Sequence, residues 1–346
     1  MHVDNLRSSE FKDTINVGIT QTKQATEQNV IRGGGAYEKN VYDAIKKEYS
    51  TEFRNIYLPN SRYKFLRLYG LVKCILNFSG EKDVWIRDFK ATAIMSYDKT
   101  EGKTISIFHH YDPSPPMFGW VNRKLYGILL NKFFSNARDI ECVVTVSDYW
   151  KEYLIQKEIS NVIKIPNAFN FNDFIFNEEE LASFKVSHGF DEDRPIIYLG
   201  NCQEVKGAVH AYRELKDMDA YLVTSGTREV EIPTINLELN YRDYLRLLKC
   251  SNVVITMSLF NEGWCRTAHE AMLCGTPVIG SGRGGMKELL EGGSQIICEN
   301  FSDLASNVEY VLQNRELRGL GYHYAYQEQF SLEYFEREWI NLIKSI

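Results

Sequence analysis

The sequence predicts an α/β protein built from two doubly wound parallel-sheet domains. Its 346 residues exceed what one compact domain usually needs, and two units of about 150 residues each fit this length. Short runs rich in β-branched residues alternate with segments of helical periodicity, which is the order that parallel sheets with crossover helices require. The strand candidates are continuously apolar, as in 252–258, and therefore suit strands that are buried on both faces.

The predicted strands fall into two groups along the chain. In the first half they are 15–19, 54–58, 83–87, 104–110, 142–147 and 162–166. In the second half they are 195–200, 220–225, 252–258, 277–281 and 294–298. The first predicted helix, 36–49, follows a glycine triplet at 33–35.

A polar stretch over 170–194, with the acidic runs NEEE and DED, predicts the domain boundary. We therefore expect a first domain over 1–168, a second over 169–330 and a terminal helix over 331–346. The terminal segment has apolar residues at helical spacing, at positions 332, 335, 339, 342 and 343. This helix either packs on its own domain or crosses back to the first one.

Composition favours a cytoplasmic globular protein. No stretch approaches the roughly 20 apolar residues of a membrane-spanning helix, and the N-terminus has no apolar run of a secretory signal. The seven cysteines contain no C-x-x-C pair and are expected to be buried free thiols in a reducing compartment. Residues 1–165 carry 24 Lys and Arg against 19 Asp and Glu, whereas the rest carries 16 against 27. The basic first half suggests an anionic partner or surface.

The segment 260–290 has the strongest chemical signal. Glu262 lies in a short loop after a predicted strand, and Glu270 lies in the helix that begins near Cys265. Helix N-termini favour phosphate, whereas an ionised carboxylate can accept hydrogen bonds from two neighbouring sugar hydroxyls. The glycine-rich loop 280–285 follows, where backbone can approach a ligand closely.

This segment resembles the signature of the retaining glycosyltransferases of family 4. The two glutamates, separated by seven residues and followed by A-M-x-C-G-T-P-V-I and G-G-x-x-E, carry the resemblance. Weaker similarities are found in the same order as in the family, in IPNAFN (165–170), IYLGNCQEVKG (197–207), VTVSDYWKEYL (144–154), FHHYD (108–112) and the glycine triplet. The resemblance implies the GT-B fold, in which two Rossmann-like domains face each other across a central cleft. The first domain would bind the acceptor and the second the nucleotide-sugar.

The resemblance also implies roles for three catalytic residues. Glu262 would contact hydroxyls of the transferred sugar. Lys206 would neutralise the diphosphate as charge builds on the leaving group. One of the two histidines His109 and His110 would lie in the cleft beside the reacting sugar, and we choose His110 because it is nearer the strand end.

Donor binding would use residues from both domains. Glu270 would accept hydrogen bonds from the ribose hydroxyls. The other residues expected to contact the donor are Gly34, Gly35, Gly200, Asn201, Arg266, Gly284, Gly285 and Met286. Most of them would act through backbone that approaches the phosphates or the sugar.

Two positions depart from the family pattern. Asn201 stands where the family usually has an arginine, which removes a cation from the diphosphate site, and Arg266 or Arg283 could replace it. Cys265 stands in place of the second glycine of E-G-F-G, next to Trp264, so we expect an altered sugar pocket.

Two basic and apolar stretches, 62–78 and 123–134, are candidates for the acceptor side. Basic amphipathic helices can lie in an anionic membrane interface, and family acceptors are often lipid-linked. A helix that faces the core and keeps its basic groups in water has the same composition. We therefore expect either peripheral contact with an anionic membrane, at the inner face, or ordinary core packing.

These features predict transfer of a hexose-like sugar from a nucleoside diphosphate-sugar to a hydroxyl of a glycan or lipid-linked acceptor. The rivals are a nucleotide-sugar epimerase on the same fold and a non-catalytic nucleotide-sugar-binding subunit. Since no His, Cys or Asp cluster has metal-ligand spacing, we expect a metal-independent reaction with no cofactor besides the donor. The D-x-D of 191–193 is interpreted as solvated charge, and no motif indicates nucleic-acid binding.

Overall fold

The computed structural model describes residues 15–24, 33–58, 78–111, 120–314 and 316–346. Within these ranges twelve strands form two separate sheets of six, and each pair of neighbouring strands is parallel. Helices connect the strands in both halves. The predicted α/β class with two doubly wound parallel sheets is confirmed.

The first sheet has the order β2-β1-β3-β4-β5-β6. Its strands are β1 Asn16–Gln24, β2 Ser50–Leu58, β3 Ser79–Asp88, β4 Lys99–Phe108, β5 Cys142–Thr145 and β6 Val162–Lys164. The helices of this half are α1 Gly33–Ile45, α2 Phe89–Ile94, α3 Trp120–Ala137 and α4 Asp148–Gln156.

The second sheet has the order β12-β11-β10-β7-β8-β9. Its strands are β7 Ile196–Asn201, β8 Tyr221–Ser225, β9 Ile235–Leu237, β10 Val253–Thr256, β11 Val278–Gly280 and β12 Ile296–Ile297. The helices are α5 Glu178–Ser187, α6 Ala208–Leu215, α7 Tyr241–Cys250, α8 Arg266–Leu273, α9 Met286–Gly292, α10 Leu304–Gln313, α11 Glu316–Ala325 and α12 Leu332–Ser345.

The second sheet is buried on both faces, as its apolar strands require. Along β7, Ile196 and Tyr198 pack into one hydrophobic cluster, whereas Ile197 and Leu199 pack into another. Successive side chains of a strand point to opposite faces, so helices must cover both sides of this sheet.

The structure corrects some predicted bounds. The edge strand Ile235–Leu237 is absent from the predicted set, because three residues are too short to show a strand pattern. The triplet Gly33 to Gly35 forms the first turn of α1 and not a loop before it, and α1 ends at Ile45 rather than at residue 49. Gly34 and Gly35 are therefore helical residues at an N-terminus.

The terminal helix α12 packs against α1 of the first half. The ring of Phe335 lies 5.0 Å from that of Tyr37, and the ring of Trp339, whose side chain is fully buried, lies 6.4 Å from it. Lys47 also pairs with Glu336 at the surface. The last helix thus joins the two halves.

Of the two basic stretches, 62–78 and 123–134, the structure describes mainly the second. Residues 62–77 of the first stretch lie outside the described residues. The second stretch lies in α3, where Phe133 and Phe134 are buried in the core and Ile128 is 60% exposed. Its C-terminal end therefore packs as an ordinary core helix. No helix within the described ranges is both long and apolar enough to cross a membrane.

The described cysteines, at positions 142, 202, 250, 265, 274 and 298, are free thiols and almost all are buried. This agrees with the expectation from their apolar sequence context. Cys74 lies outside the described residues.

Trp339→Ala is expected to lower the free energy of unfolding by about 3–5 kcal/mol, because it removes a large, fully buried side chain between α12 and α1. Calorimetry would show the thermal midpoint fall. Arg337→Ala, at a half-exposed position of the same helix, is the matched control and should leave the midpoint unchanged. An unchanged midpoint for Trp339→Ala would show that this contact does not stabilise the fold.

His269 should make the fold sensitive to acid. Trp264 Nε1 donates to His269 Nδ1 at 3.0 Å, so Nε2 carries the proton and donates to the carbonyl of Ala325 at 3.1 Å. Burial lowers the pKa of His269 to about 3, whereas the unfolded chain takes up a proton near pH 6.5. Its stabilising contribution is therefore complete above pH 6.5 and is lost as the pH falls toward 3.

Urea unfolding at a series of pH values checks this. Between about pH 6.5 and pH 4.5, wild type should lose more unfolding free energy than His269→Gln, which has no imidazole to protonate. If both proteins lost the same unfolding free energy over this pH range, protonation of His269 would not be the cause of the acid sensitivity.

Candidate functional site

The candidate site lies at the carboxyl edge of the second sheet, where the strand order reverses. The sheet grows from β7 through β8 to β9 in one direction and from β10 through β11 to β12 in the other. In open parallel sheets, ligands bind outside the carboxyl ends of the two strands at such a switch point. The loops that follow Asn201 and Thr256 are therefore the natural place for a site.

Two glycines shape the end of β7 and the loop that follows it. Gly200 has a φ of +77° and Gly207 a φ of +76°, in the left-handed region that favours glycine. A Cβ on Gly207 would lie 2.2 Å from the carbonyl oxygen of Met257, so no other residue fits there. This close approach brings Lys206, which immediately precedes Gly207, against the loop that follows β10.

Lys206 and Glu262 form an ion pair across these two loops. Lys206 Nζ lies 2.6 Å from Glu262 Oε1, and the hydroxyl of Ser258 donates to the same oxygen at 2.6 Å. Glu262 is only 6% exposed. Burial alone would raise its pKa, but the charge of Lys206 and the two hydrogen bonds outweigh burial and lower it. The same pairing raises the pKa of Lys206 against the opposite effect of burial. Both groups are therefore charged at neutral pH.

The backbone of Glu262 is bonded to both halves of the protein. Its carbonyl oxygen accepts hydrogen bonds from Trp150 Nε1 of α4 and from the amide of Gly285, both at 2.9 Å. Its own amide donates to the carbonyl of Arg283 at 3.2 Å. The position of this carboxylate is thus set by the first half and by the glycine loop together.

The glycines of the site serve loop packing. A Cβ on Gly285 would lie 2.0 Å from the carbonyl oxygen of Gly263, and one on Gly284 would lie 2.4 Å from that of Glu262. The amide of Gly285 donates to the carbonyl of Glu262, so it already has a partner within the protein, and its contact with the donor stays a prediction. Met286, at the start of α9, is fully buried, and its sulfur accepts a long hydrogen bond from Thr256.

The two histidines after β4 have different surroundings. The ring of His109 lies edge-on to Tyr37 at 5.1 Å, and its Nε2 is 3.9 Å from Glu38 Oε1 without another partner. Burial and the neighbouring His110 lower the pKa of His109 to about 3, so its imidazole is neutral. The exposed ring of His110 lies 5.5 Å from that of Phe260, in the loop that carries Glu262. His110 thus faces the second half, and His109 faces α1.

Glu270 forms the second carboxylate centre, inside α8. It is 4% exposed and accepts hydrogen bonds from Arg266 at 3.1 Å, Tyr244 at 3.1 Å and Tyr241 at 3.4 Å. Burial raises its pKa even though these donors favour the charged form. Neither tyrosine is among the residues that the sequence predicts for the site, because both lie in α7, more than 25 residues before Glu270, and match no motif.

Two arginines were candidates to replace the cation absent at Asn201. Arg266 is engaged by Glu270 and lies over the ring of Phe169 at 4.4 Å. Arg283 donates to the carbonyl of Leu259 at 3.1 Å and has an exposed side chain beside the loop of Glu262. Arg283 therefore has a more exposed side chain than Arg266, which is paired with Glu270.

The departures at Trp264 and Cys265 have a structural explanation. Trp264 is buried against His269 and Phe330, so its ring points into the core. Cys265 has a φ of +68°, a left-handed backbone conformation that glycine adopts without strain. The backbone shape of the glycine position is thus kept by a cysteine, at some cost in strain.

The acidic run 191–193 is exposed and precedes the amino end of β7, at the opposite edge of the sheet from Lys206. The interpretation as solvated charge agrees with this position. Among the described residues, no group of three His, Cys, Asp or Glu side chains is arranged to hold a metal ion.

Comparison with known families locates the similarity in the second half. Residues 182–327 match the family model described as glycosyl transferases group 1, and this segment includes Lys206, Glu262 and Glu270. YtcC of Bacillus subtilis, which is named as a glycosyltransferase, is 23% identical over 214 residues, 49% of this chain and 53% of that protein. The chain spans about half the length of the curated relatives it matches.

Solved structures match almost the whole chain. Sucrose-phosphate synthase from Thermosynechococcus elongatus superposes with a TM-score of 0.76 at 16% identity, covering 96% of this chain and 98% of that one. Anabaena Alr3699/HepE, solved in complex with UDP-glucose, superposes with a TM-score of 0.73 at 17% identity, covering 96% of this chain and 100% of that one. The chain therefore has the two-sheet GT-B fold of glycosyltransferases, and its second half is similar in sequence to the group 1 glycosyl transferases.

Proposed function

We propose that this protein is a glycosyltransferase that moves a hexose-like sugar from a nucleoside diphosphate-sugar to an acceptor hydroxyl, without a metal ion. The observation that carries the proposal is the Lys206–Glu262 pair, held at 2.6 Å at the switch point of the second sheet. The match of residues 182–327 to glycosyl transferases group 1 supports it. The complex of HepE with UDP-glucose supports the class of donor.

The donor would extend along the carboxyl edge of the second sheet. Its diphosphate would lie beside Lys206, with Arg283 supplying a second cation in place of the missing arginine. The transferred sugar would contact Glu262, and the ribose would contact Glu270. Charged hydrogen bonds of this kind are strong in a water-poor site, because both carboxylates are almost fully buried.

The reaction would break the bond between the anomeric carbon and the diphosphate oxygen, and the electron pair would go to that oxygen. Lys206 would stabilise the developing negative charge, an electrostatic effect that often dominates catalysis. The acceptor oxygen would bond to the anomeric carbon, and its proton would pass to the departing phosphate oxygen. Attack from the leaving-group side would retain the anomeric configuration, as the resemblance to family 4 implies.

The first half would complete the site and exclude water. His110 faces Phe260 across the gap between the halves, near the place where the sugar would react. Glu288 of α9 also accepts a hydrogen bond from the amide of Asp148, the first residue of α4, at 2.7 Å. Contacts of this kind would keep water away from a donor that hydrolysis would otherwise consume.

We propose that the acceptor is a glycan or a lipid-linked sugar and that the first half binds it. The excess of Lys and Arg over Asp and Glu in residues 1–165 suits an anionic surface, such as the inner face of the cytoplasmic membrane. The basic residues of 62–77, which lie outside the described ranges, would contribute to that contact.

Glu262→Gln should lower the turnover number with UDP-glucose by about a hundredfold, the order found when one charged contact to a transition state is removed. The side-chain shape is kept, whereas the charge opposite Lys206 is lost. Glu291→Gln breaks an exposed ion pair with Lys287 and is the matched control, with unchanged turnover. Turnover near wild type for Glu262→Gln, with equal thermal midpoints, would refute the role.

Donor consumption separates this function from its rivals. With UDP-glucose and p-nitrophenyl glycosides as acceptors, UDP release should rise well above the release without acceptor, and Lys206→Ala should abolish the increase. Proton NMR of the same mixtures would detect a changed donor sugar without UDP release, which would instead identify an epimerase. Tight binding of UDP-glucose without either product would identify a non-catalytic binding protein.

A further inference from the structure

Three hydrogen-bond donors surround the carboxylate of Glu270, and they occupy most of the positions at which it can accept a hydrogen bond. Arg266 and the hydroxyl of Tyr241 donate to Oε1, and the hydroxyl of Tyr244 donates to Oε2. A carboxylate offers about four acceptor positions, two on each oxygen. One position therefore remains, whereas the two hydroxyls of a ribose need two.

Tyr244 and Arg266 are both held firmly. Tyr244 donates at 3.1 Å, and its ring packs against Tyr198 in the core. Arg266 carries a charge opposite to that of Glu270, lies over the ring of Phe169 at 4.4 Å and has only 18% of its side chain exposed. Neither group can leave without breaking several contacts.

Tyr241 is held much more weakly. Its hydrogen bond to Glu270 is the longest of the three, at 3.4 Å, and the residue is 48% exposed. It stands at the first position of α7, directly after the helix cap Asn240. Rotation about its side-chain bonds would move the ring toward solvent, and the ring would lose its contact with that of Tyr244, whose centroid is 6.3 Å away.

We propose that Tyr241 is an exchangeable partner of Glu270, which gives up its acceptor position to a ribose hydroxyl when a nucleotide binds. This inference rests on the proposed function, since it takes Glu270 to be the ribose contact. Tyr244 and Arg266 keep the carboxylate in place, while Tyr241 satisfies the remaining demand of a buried charge for hydrogen bonds. Tyr241 thereby sets the affinity for the two ribose hydroxyls.

The exchange would weaken the binding of a ligand that carries both ribose hydroxyls. A ligand with both ribose hydroxyls must break the bond of Tyr241, and this offsets part of the gain from its second hydroxyl. A 2′-deoxyribose ligand needs only the remaining acceptor position and leaves Tyr241 in place. Removing the Tyr241 hydroxyl should therefore strengthen binding of the ribonucleotide alone.

Isothermal titration with UDP and with 2′-deoxy-UDP tests this on the full chain. Tyr241→Phe should bind UDP about three- to tenfold more tightly than wild type, the worth of one hydrogen bond, with no change for 2′-deoxy-UDP. Tyr244→Phe should bind both ligands more weakly, because Glu270 loses a fixed partner. Tyr310→Phe, a tyrosine of similar exposure on α10, is the control and should leave both affinities unchanged.

The outcomes separate the inference from the function on which it rests. Equal or weaker binding of UDP by Tyr241→Phe, with wild-type binding intact, would overturn the exchange and leave the proposed function standing. Tighter binding by Tyr244→Phe instead would also overturn it. If wild type bound none of UDP, GDP, ADP and CDP, the proposed function would fail together with the exchange. If GDP, ADP or CDP binds more tightly than UDP, the titrations use that nucleotide and its 2′-deoxy form instead.

Discussion

The site depends on how closely the backbone of Glu262 packs between the two halves of the protein. Its carbonyl oxygen accepts from Trp150 of the first half and from Gly285 of the neighbouring loop, and its carboxylate is bound by Lys206. A Cβ on Gly263 would lie 2.7 Å from the carbonyl oxygen of His109, so the two halves approach at backbone distance there. Relative movement of the halves would therefore change the position of the carboxylate directly.

The pKa values of the two buried glutamates shift in opposite directions. Glu262 faces the ammonium of Lys206 and the hydroxyl of Ser258, and the attraction lowers its pKa despite burial. Glu270 has an arginine and two tyrosines, yet burial prevails and raises its pKa. The lowered pKa keeps the carboxylate of Glu262 charged at neutral pH. Glu262 therefore suits a fixed electrostatic role, whereas Glu270 suits hydrogen bonding that can be exchanged.

A glycine in a sequence can indicate either close approach of the backbone to a neighbouring group or a left-handed backbone conformation. The glycine-rich pattern of 280–285 predicts that this backbone closely approaches another group. The spacing of the glycines does not distinguish a ligand from a neighbouring loop as that group. In the structure, Gly284 and Gly285 pack against the loop of Glu262 and Gly263. Cys265 adopts a φ of +68°, so the departure from the family pattern preserves the backbone shape and changes the side chain alone.

The sequence by itself determined the α/β class, the positions of nearly all strands along the chain and the block around Glu262 and Glu270, because these follow from local periodicity and from a contiguous motif. Tertiary structure alone decided the packing of α12 on α1, the short edge strand Ile235–Leu237 and the partners of the two glutamates. Lys206 lies 56 residues from Glu262, and Tyr241 lies 29 residues from Glu270. Such contacts form only when the parallel sheet brings the carboxyl ends of distant strands to one edge. A local sequence pattern does not predict which residues so far apart in the chain will meet.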